Sequence, residues 1–262
     1  MPIGKLVFFL LLIVPLIAGQ PSGTLSKNSV GALLGDTALR VRTGDFIGAF
    51  GLAYEPTDAE RAELGKAGVH DAQMRRDRSL TPEALTRAEV EEMLRNAELR
   101  HLTAPSMAMF RIAFDLSDSA EQDLLRAGLD PSDLDPLWSR FRSRTIGVLR
   151  SLNTAAVTYA VTYGKGFAAS IANYGPPPKG KPLSIETADL LAPWVVTGRP
   201  GIGYVITYAA GPKSANGSID SYSITVRPTA WKAGRPSFFT DQSGVIRTTG
   251  ENRAATAQDP PL

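Results

Sequence analysis

An internal duplication is the feature that most constrains the fold of this 262-residue chain. Residues 25–74 and 85–134 align without a gap at an offset of sixty. Identical residues occupy many of the matched positions, including Leu25/Leu85, Val30/Val90, Leu34/Leu94, Leu39/Leu99, Phe50/Phe110, Asp58/Asp118 and Leu64/Leu124. Because apolar residues pair with apolar residues throughout the alignment, the match predicts two copies of one structural unit within residues 25–134.

Helix-capping patterns indicate how each copy folds. Side chains with the spacing of a capping box can satisfy the free amides at a helix start. Three pairs have this spacing: Thr57 with Glu60, Thr86 with Glu89, and Asp118 with Glu121. Gly68 and Gly128 then offer the left-handed conformation that closes a helix. Each copy is therefore predicted to contain three or four short helices that pack an apolar stripe.

Residues 1–20 have the pattern of a secretory signal peptide. Lys5 supplies a positive charge, residues 6–18 are apolar, and Ala18 and Gly19 offer a cleavage site before Gln20. Thirteen apolar residues are few for a membrane span, which needs about 20. We therefore expect cleavage and an extracytoplasmic mature protein without an integral membrane span, with an uncleaved anchor as the alternative.

A long helix and a small sheet are predicted after the repeats. From Leu134 to Tyr163 apolar residues recur in steps of three and four, which is typical of an amphipathic helix. Polar and apolar residues alternate at 203–208 and 221–226, and the segments 237–240 and 245–247 flank a turn that contains Gly244. The sequence thus predicts an α+β protein, with a helix packed on a three- or four-stranded antiparallel sheet over residues 135–248 and a flexible tail over residues 249–262.

The second half of the chain resembles a known family. The segments 151–163, 203–208 and 238–247, the last reading Phe-Phe-Thr-Asp-Gln-Ser-Gly-Val-Ile-Arg, are similar to the globular domain of type IV pilins and type II secretion pseudopilins. The resemblance covers about residues 140–262. It implies a helix-on-sheet fold, an extracytoplasmic location, a structural role, and no catalytic residue.

The first half departs from the pilin pattern. Pilins open with a short basic leader, followed by Gly-Phe-Thr-x-x-Glu and a long apolar helix that builds the filament core. Residues 6–18 lack this motif, and the two repeats occupy the chain upstream of residue 140. We therefore expect an exported, non-enzymatic, pilin-like structural or protein-interaction protein of the cell envelope. The alternative is a minor pilin or pseudopilin in which residues 6–18 serve as a degenerate anchor.

Few residues suit catalysis or metal binding. The chain has no Cys, which excludes disulfides and thiolate chemistry, and its two His residues, His70 and His101, have no ligand partner at useful spacing. A carboxylate-dependent envelope hydrolase is the second alternative, resting on the recurrent acidic residues Glu55, Asp58, Asp115 and Asp118. Charges near a helix start are more simply explained as complements of the helix dipole. We therefore expect no catalytic, cofactor-binding or metal-binding residue, and no cofactor.

Two further patterns bear on ligands and partners. Asp220 and Asp241 could approach each other at a sheet edge, but two carboxylates are too few for the six to eight oxygen ligands of Ca²⁺. Five aromatic residues could form a binding surface, although sheet core is the simpler interpretation: Tyr174, Trp194, Tyr204, Tyr208 and Trp231. A formal net charge of +2 is too balanced to suggest nucleic acid. The expected partners are other envelope proteins.

Overall fold

The computed structural model describes residues 24–74 and 83–262. The predicted signal segment, residues 1–20, lies outside the described residues. The first repeat contains the helices α1 (Lys27–Gly35), α2 (Thr43–Phe50), α3 (Asp58–Lys66) and α4 (Asp71–Met74). The second contains α5 (Arg87–Arg95), α6 (Thr103–Phe110) and α7 (Asp118–Arg126). The bounds of α1, α2 and α3 recur sixty positions later in α5, α6 and α7.

Each repeat also has a short parallel bridge that ties its first residues to the segment after its second helix. Leu25 pairs with Leu52 in the first repeat, and Leu85 pairs with Ile112 in the second. The hydrogen bonds correspond as well, since Leu25 donates to the Gly51 carbonyl and Leu85 donates to the Arg111 carbonyl. The two copies therefore share their backbone path as well as their helices.

Two of the three predicted capping boxes are present. Thr57 with Glu60 and Thr86 with Glu89 each form both hydrogen bonds of the motif. The prediction for Asp118 with Glu121 is wrong, because α7 starts one residue earlier at an N-cap formed by Ser117. The Glu121 side chain turns inward to other partners, described below.

The two repeats pack on each other through an aromatic cluster and a buried arginine. The rings of Phe46, in the first repeat, and Phe110, in the second, meet edge to face with centroids 4.9 Å apart. Arg42 donates to Asp45 in its own repeat and to Glu89 in the other, both at 2.9 Å. Apolar packing and a charge pair thus join the two copies.

Helix α8 (Leu134–Tyr163) has the predicted bounds and continues through Gly147. Its buried face comprises Leu137, Trp138, Phe141, Thr145, Val148, Leu149, Leu152, Ala155, Ala156 and Tyr159. These residues recur in steps of three and four, so the stripe on the sequence is the face that the fold buries. Thirty residues at about 1.5 Å each make α8 roughly 45 Å long.

A four-stranded antiparallel sheet follows α8 in the order β1-β2-β3-β4. The strands are β1 (Tyr204–Ala210), β2 (Tyr222–Pro228), β3 (Ser237–Asp241) and β4 (Arg247–Thr249), and a short helix α9 (Pro193–Val196) precedes them. Helix α8 contacts the sheet through Asn153, whose amide nitrogen donates to the Thr240 hydroxyl at 3.0 Å. The chain is an α+β protein.

The last residues of the chain differ from the flexible tail that the sequence predicts. Arg247 bridges to Pro261, and Thr248 donates its amide to the Pro260 carbonyl at 3.0 Å. The buried carboxylate of Asp259 accepts from Arg253 and from the Thr256 amide. Residues 249–262 are therefore packed along β4, because backbone pairing and the Asp259 contacts compensate for their lack of a regular element.

Candidate functional site

The four recurrent carboxylates lie at the starts of helices or in exposed ion pairs. Asp58 and Asp118 are the first residues of α3 and α7. Glu55 pairs with Arg61 in its own repeat, whereas Asp115 pairs with Arg199 from the segment before β1. Both arrangements supply charge compensation, and the helix-start positions favour the dipole interpretation.

No cluster of three or more His, Asp or Glu side chains suited to a metal ion occurs in residues 24–74 and 83–262. His70 lies at the start of α4, where its amide donates to Gln73, and His101 lies in a short turn before α6. Asp241 accepts from the Ser243 amide at 2.9 Å in the β3–β4 turn, and Asp220 is exposed. These residues are placed as turn and surface groups.

The five aromatic residues separate into two groups. Tyr174 and Tyr204 are buried, as the core interpretation predicts, and Tyr208 meets Tyr174 with ring centroids 5.8 Å apart. Trp194 and Trp231 are half-buried. Arg111 lies over the Trp194 ring at 4.8 Å, which joins the second repeat to α9 by a cation–π contact.

Tyrosines connect the C-terminal end of α8 to the sheet. The Tyr159 hydroxyl donates to the Ile185 carbonyl at 2.7 Å, and its ring meets that of Tyr174 with centroids 5.5 Å apart. Burial raises the pKa of Tyr159 to about 12. Burial also raises the pKa of Tyr208, by more than it raises that of Tyr159. These phenols stay neutral at physiological pH, so their role here is packing and hydrogen bonding.

The junction between the second repeat and the sheet is the main feature that sequence reasoning missed. The Ile112 amide donates to the Gly201 carbonyl at 2.8 Å, so the segment 199–203 adds a backbone hydrogen bond at the edge of the repeat. Gly201 has a φ of +68°, and a Cβ there would overlap the Ile112 carbonyl. Nothing in the local sequence of the Gly-rich segment 198–203 indicates its distant partner.

A cavity of about 340 Å³ lies beside this junction. Phe114 and Arg199 contribute to its wall from the repeat and from the docked segment, and Tyr204 and Thr229 contribute from the sheet side. Burial raises the pKa of Tyr204 to about 12, so its phenol is neutral. The cavity is thus a seam between two packed units, lined by neutral groups apart from the Asp115–Arg199 pair.

A buried charge network fixes α7 to the rest of the chain. The Glu121 carboxylate is fully buried and accepts from Trp138 of α8, from Lys232 and from Arg235, each at 2.6 Å. Burial acts to raise the pKa of Glu121, but these donors together hold it below its usual value. Position 61, the counterpart in the first repeat, is an arginine on the surface. Only the second copy therefore has this docking residue.

Helix α8 also presents an apolar ridge to solvent. Val157 and Val161 lie one helical turn apart, and their exposed fractions are 56% and 80%. Thr154 and Thr158 on the same outer side are exposed and donate to backbone carbonyls of the helix itself. The ridge is a surface to which another chain can pack without disturbing the core.

The fold and these surfaces define a class: an α+β chain in which a duplicated helical unit is docked, through its second copy, onto a long helix and an antiparallel sheet. No family model, curated protein or solved structure matches this chain. No helix in the part of the chain that the structure describes is both long and apolar enough to cross a membrane.

Proposed function

We propose that this chain is an exported, non-enzymatic protein of the cell envelope, whose second half is a pilin-like domain with a structural or protein-interaction role. The supporting observation is the placement of α8 (Leu134–Tyr163) against a four-stranded antiparallel sheet, in the order that the resemblance implies. The secretory pattern of residues 1–20 supports export.

The arrangement of the polar groups supports an interaction role rather than chemistry. Glu121, the most deeply buried carboxylate of the repeats, is occupied by Trp138 and two cations. Glu55 and Asp115 pair with arginines. A glycoside hydrolase needs two carboxyl groups that face each other at roughly 5–9.5 Å. Glu55, Asp115 and Glu121 have structural partners, which does not favour the hydrolase alternative.

A second candidate is a minor pilin or pseudopilin that joins a filament. The exposed valines of α8, Val157 and Val161, favour it, since apolar groups on the outer face of a long helix suit packing between subunits. On this alternative residues 6–18 stay attached as an anchor.

Mapping the mature N-terminus in cell fractions tests the export proposal. The expected result is a periplasmic or secreted protein whose first residue, by mass spectrometry, is Gln20. A matched control replaces Leu11, at the centre of the apolar run, with Arg, which should block export and leave the full-length chain inside the cell. Retention of residue 1 on an envelope-associated chain would favour the minor-pilin candidate. A wild-type chain confined to the cytoplasm would refute both.

A further inference from the structure

The two repeats differ in what covers their bridge edges. In the second repeat, the Ile112 side of the bridge carries the segment 199–203, and Ile112 is only 2% exposed. In the first repeat, the Leu52 amide has no hydrogen-bond partner in the part of the chain that the structure describes. Leu52 is correspondingly less buried than Ile112. The same backbone edge is thus filled in one copy and open in the other.

The filled copy shows what such an edge accepts. The Gly201 carbonyl receives the Ile112 amide, and the missing Cβ of Gly201 lets the two backbones approach. Two residues earlier, Arg199 pairs with Asp115, which lies three residues beyond the bridge position. The occupant therefore combines an arginine, one intervening residue and a glycine of positive φ at which the segment bends.

The open copy keeps the groups that this occupant uses. Leu52 presents an amide that no residue within 24–74 and 83–262 accepts, and Ala53 and Tyr54 match Ala113 and Phe114. Glu55 supplies the carboxylate at the position of Asp115, and its side chain is 86% exposed. Its present partner Arg61 has a side chain that is 40% exposed, so exchanging that pair for one with an incoming arginine costs little, since surface ion pairs contribute little to stability.

We propose that the Leu52 edge of the first repeat binds an Arg-x-Gly segment of a partner protein, bent at its glycine as residues 199–201 are. The partner's glycine carbonyl accepts the Leu52 amide, and its arginine pairs with Glu55. A backbone hydrogen bond provides the attachment, as between Ile112 and Gly201, and the arginine and the glycine provide the selectivity. The chain thus contains its own template for the ligand, in residues 199–201 bound to the second repeat.

This inference deepens the proposed interaction role and names the chemistry of the partner. It depends on the comparison between the two repeats, and neither export nor the pilin-like character of the second half enters the argument. Binding by the purified protein and export from the cell are separate measurements, so either proposal can fail while the other stands.

The probe is a fluorescent peptide with the sequence of residues 197–205, Thr-Gly-Arg-Pro-Gly-Ile-Gly-Tyr-Val, titrated against the full-length protein by fluorescence anisotropy. We expect saturable binding. A matched peptide with Ala at the position of Gly201 should bind at least tenfold more weakly, because the added Cβ would overlap the Leu52 carbonyl of the edge. A peptide with Glu in place of the arginine should bind severalfold more weakly, because it loses an ion pair at the surface.

Two protein variants locate the binding site. Leu52→Pro removes the edge amide and should weaken binding of the wild-type peptide at least tenfold. Glu55→Arg reverses an exposed charge and should weaken the same binding severalfold. Glu55→Arg should also recover binding of the peptide that carries Glu in place of arginine. If Leu52→Pro does not fold, as judged by circular dichroism, the charge exchange at the exposed position 55 decides.

Absence of saturable binding to the wild-type protein would overturn the proposal. Binding that is unchanged in Glu55→Arg would overturn it as well, since the peptide would then be displacing the chain's own segment at Ile112 or binding elsewhere. Equal binding of the glycine and alanine peptides would contradict the close backbone approach on which the inference rests.

Discussion

Replacing Glu121 with Gln should destabilise the protein strongly, because it leaves the buried cation Arg235 without a counter-charge. The side chain of Arg235 is 5% exposed and would lose its carboxylate partner. Lys232 would lose its ion pair with the same carboxylate. Removing one partner of a buried ion pair costs about 3–5 kcal/mol. At roughly 2–4 °C per kcal/mol for a chain of this size, the midpoint of thermal unfolding should fall by about 6–20 °C.

Urea unfolding followed by tryptophan fluorescence measures this change, since Trp138 donates to the same carboxylate. The matched control is Arg61→Gln, the counterpart sixty residues earlier, whose side chain is 40% exposed. That variant should change the free energy of unfolding by no more than about 0.5 kcal/mol. If Glu121→Gln and Arg61→Gln both cost less than about 1 kcal/mol, the network does not hold the second repeat in place.

The same variant gives a pH test whose sign follows from the lowered pKa of Glu121. A carboxyl whose pKa is lower in the folded state stabilises the protein fully above its unfolded pKa of about 4.3. That contribution is lost as the pH falls below this value and through the folded pKa. The stability difference between wild type and Glu121→Gln should therefore be constant near neutrality and shrink on acidification; a difference that grows on acidification would refute the assignment.

Three further substitutions test separate contacts. Gly201→Ala should lower the free energy of unfolding in urea by about 2–4 kcal/mol, and the control Gly217→Ala by about 1 kcal/mol. Both glycines have a positive φ, but only Gly201 lacks room for a Cβ. Equal costs would refute the close approach of Gly201 to Ile112. Arg42→Ala should lower the free energy of unfolding by roughly 3 kcal/mol, because its ion pairs with Asp45 and Glu89 are lost. Arg40 is exposed, so Arg40→Ala should be nearly neutral, and similar values for the two variants would contradict the pairing. Asp259→Asn should release residues 249–262 to limited proteolysis at neutral pH, since its ion pair is lost; unchanged protease resistance would show that backbone pairing alone holds the segment.

Local sequence patterns were sufficient for helix α8, for the β3–β4 turn and for two of the helix starts. Helix α8 has the predicted bounds because thirty residues keep one apolar stripe without interruption. The β3–β4 turn was recognised because Gly244, with a φ of +72°, supplies a conformation that few other residues adopt. Thr57 and Thr86 indicated helix starts because each capping box joins residues that are only three positions apart in the sequence.

Local patterns could not predict contacts between segments that are distant in the sequence. Glu121 has the spacing of a capping box, but Trp138, Lys232 and Arg235 reach it only after folding and hold it in the core. The attachment of Gly201 to Ile112 likewise depends on tertiary structure. The only sequence signal available for Glu121 was the contrast with Arg61 at the matching position of the first repeat. A duplication makes such contrasts informative, because two equal folds reveal which copy has acquired a partner.

The placement of α8 across the sheet is the central claim, and cysteine pairs test it directly because the chain has no native Cys. Asn153→Cys with Thr240→Cys joins positions whose side chains are 3.0 Å apart in the wild type. Thr158→Cys with Thr240→Cys is the control, since Thr158 is on the exposed side of the helix. We predict rapid disulfide formation with copper-phenanthroline in the first pair and little in the second. Equal oxidation of the two pairs, or none in the first, would contradict the helix-on-sheet arrangement.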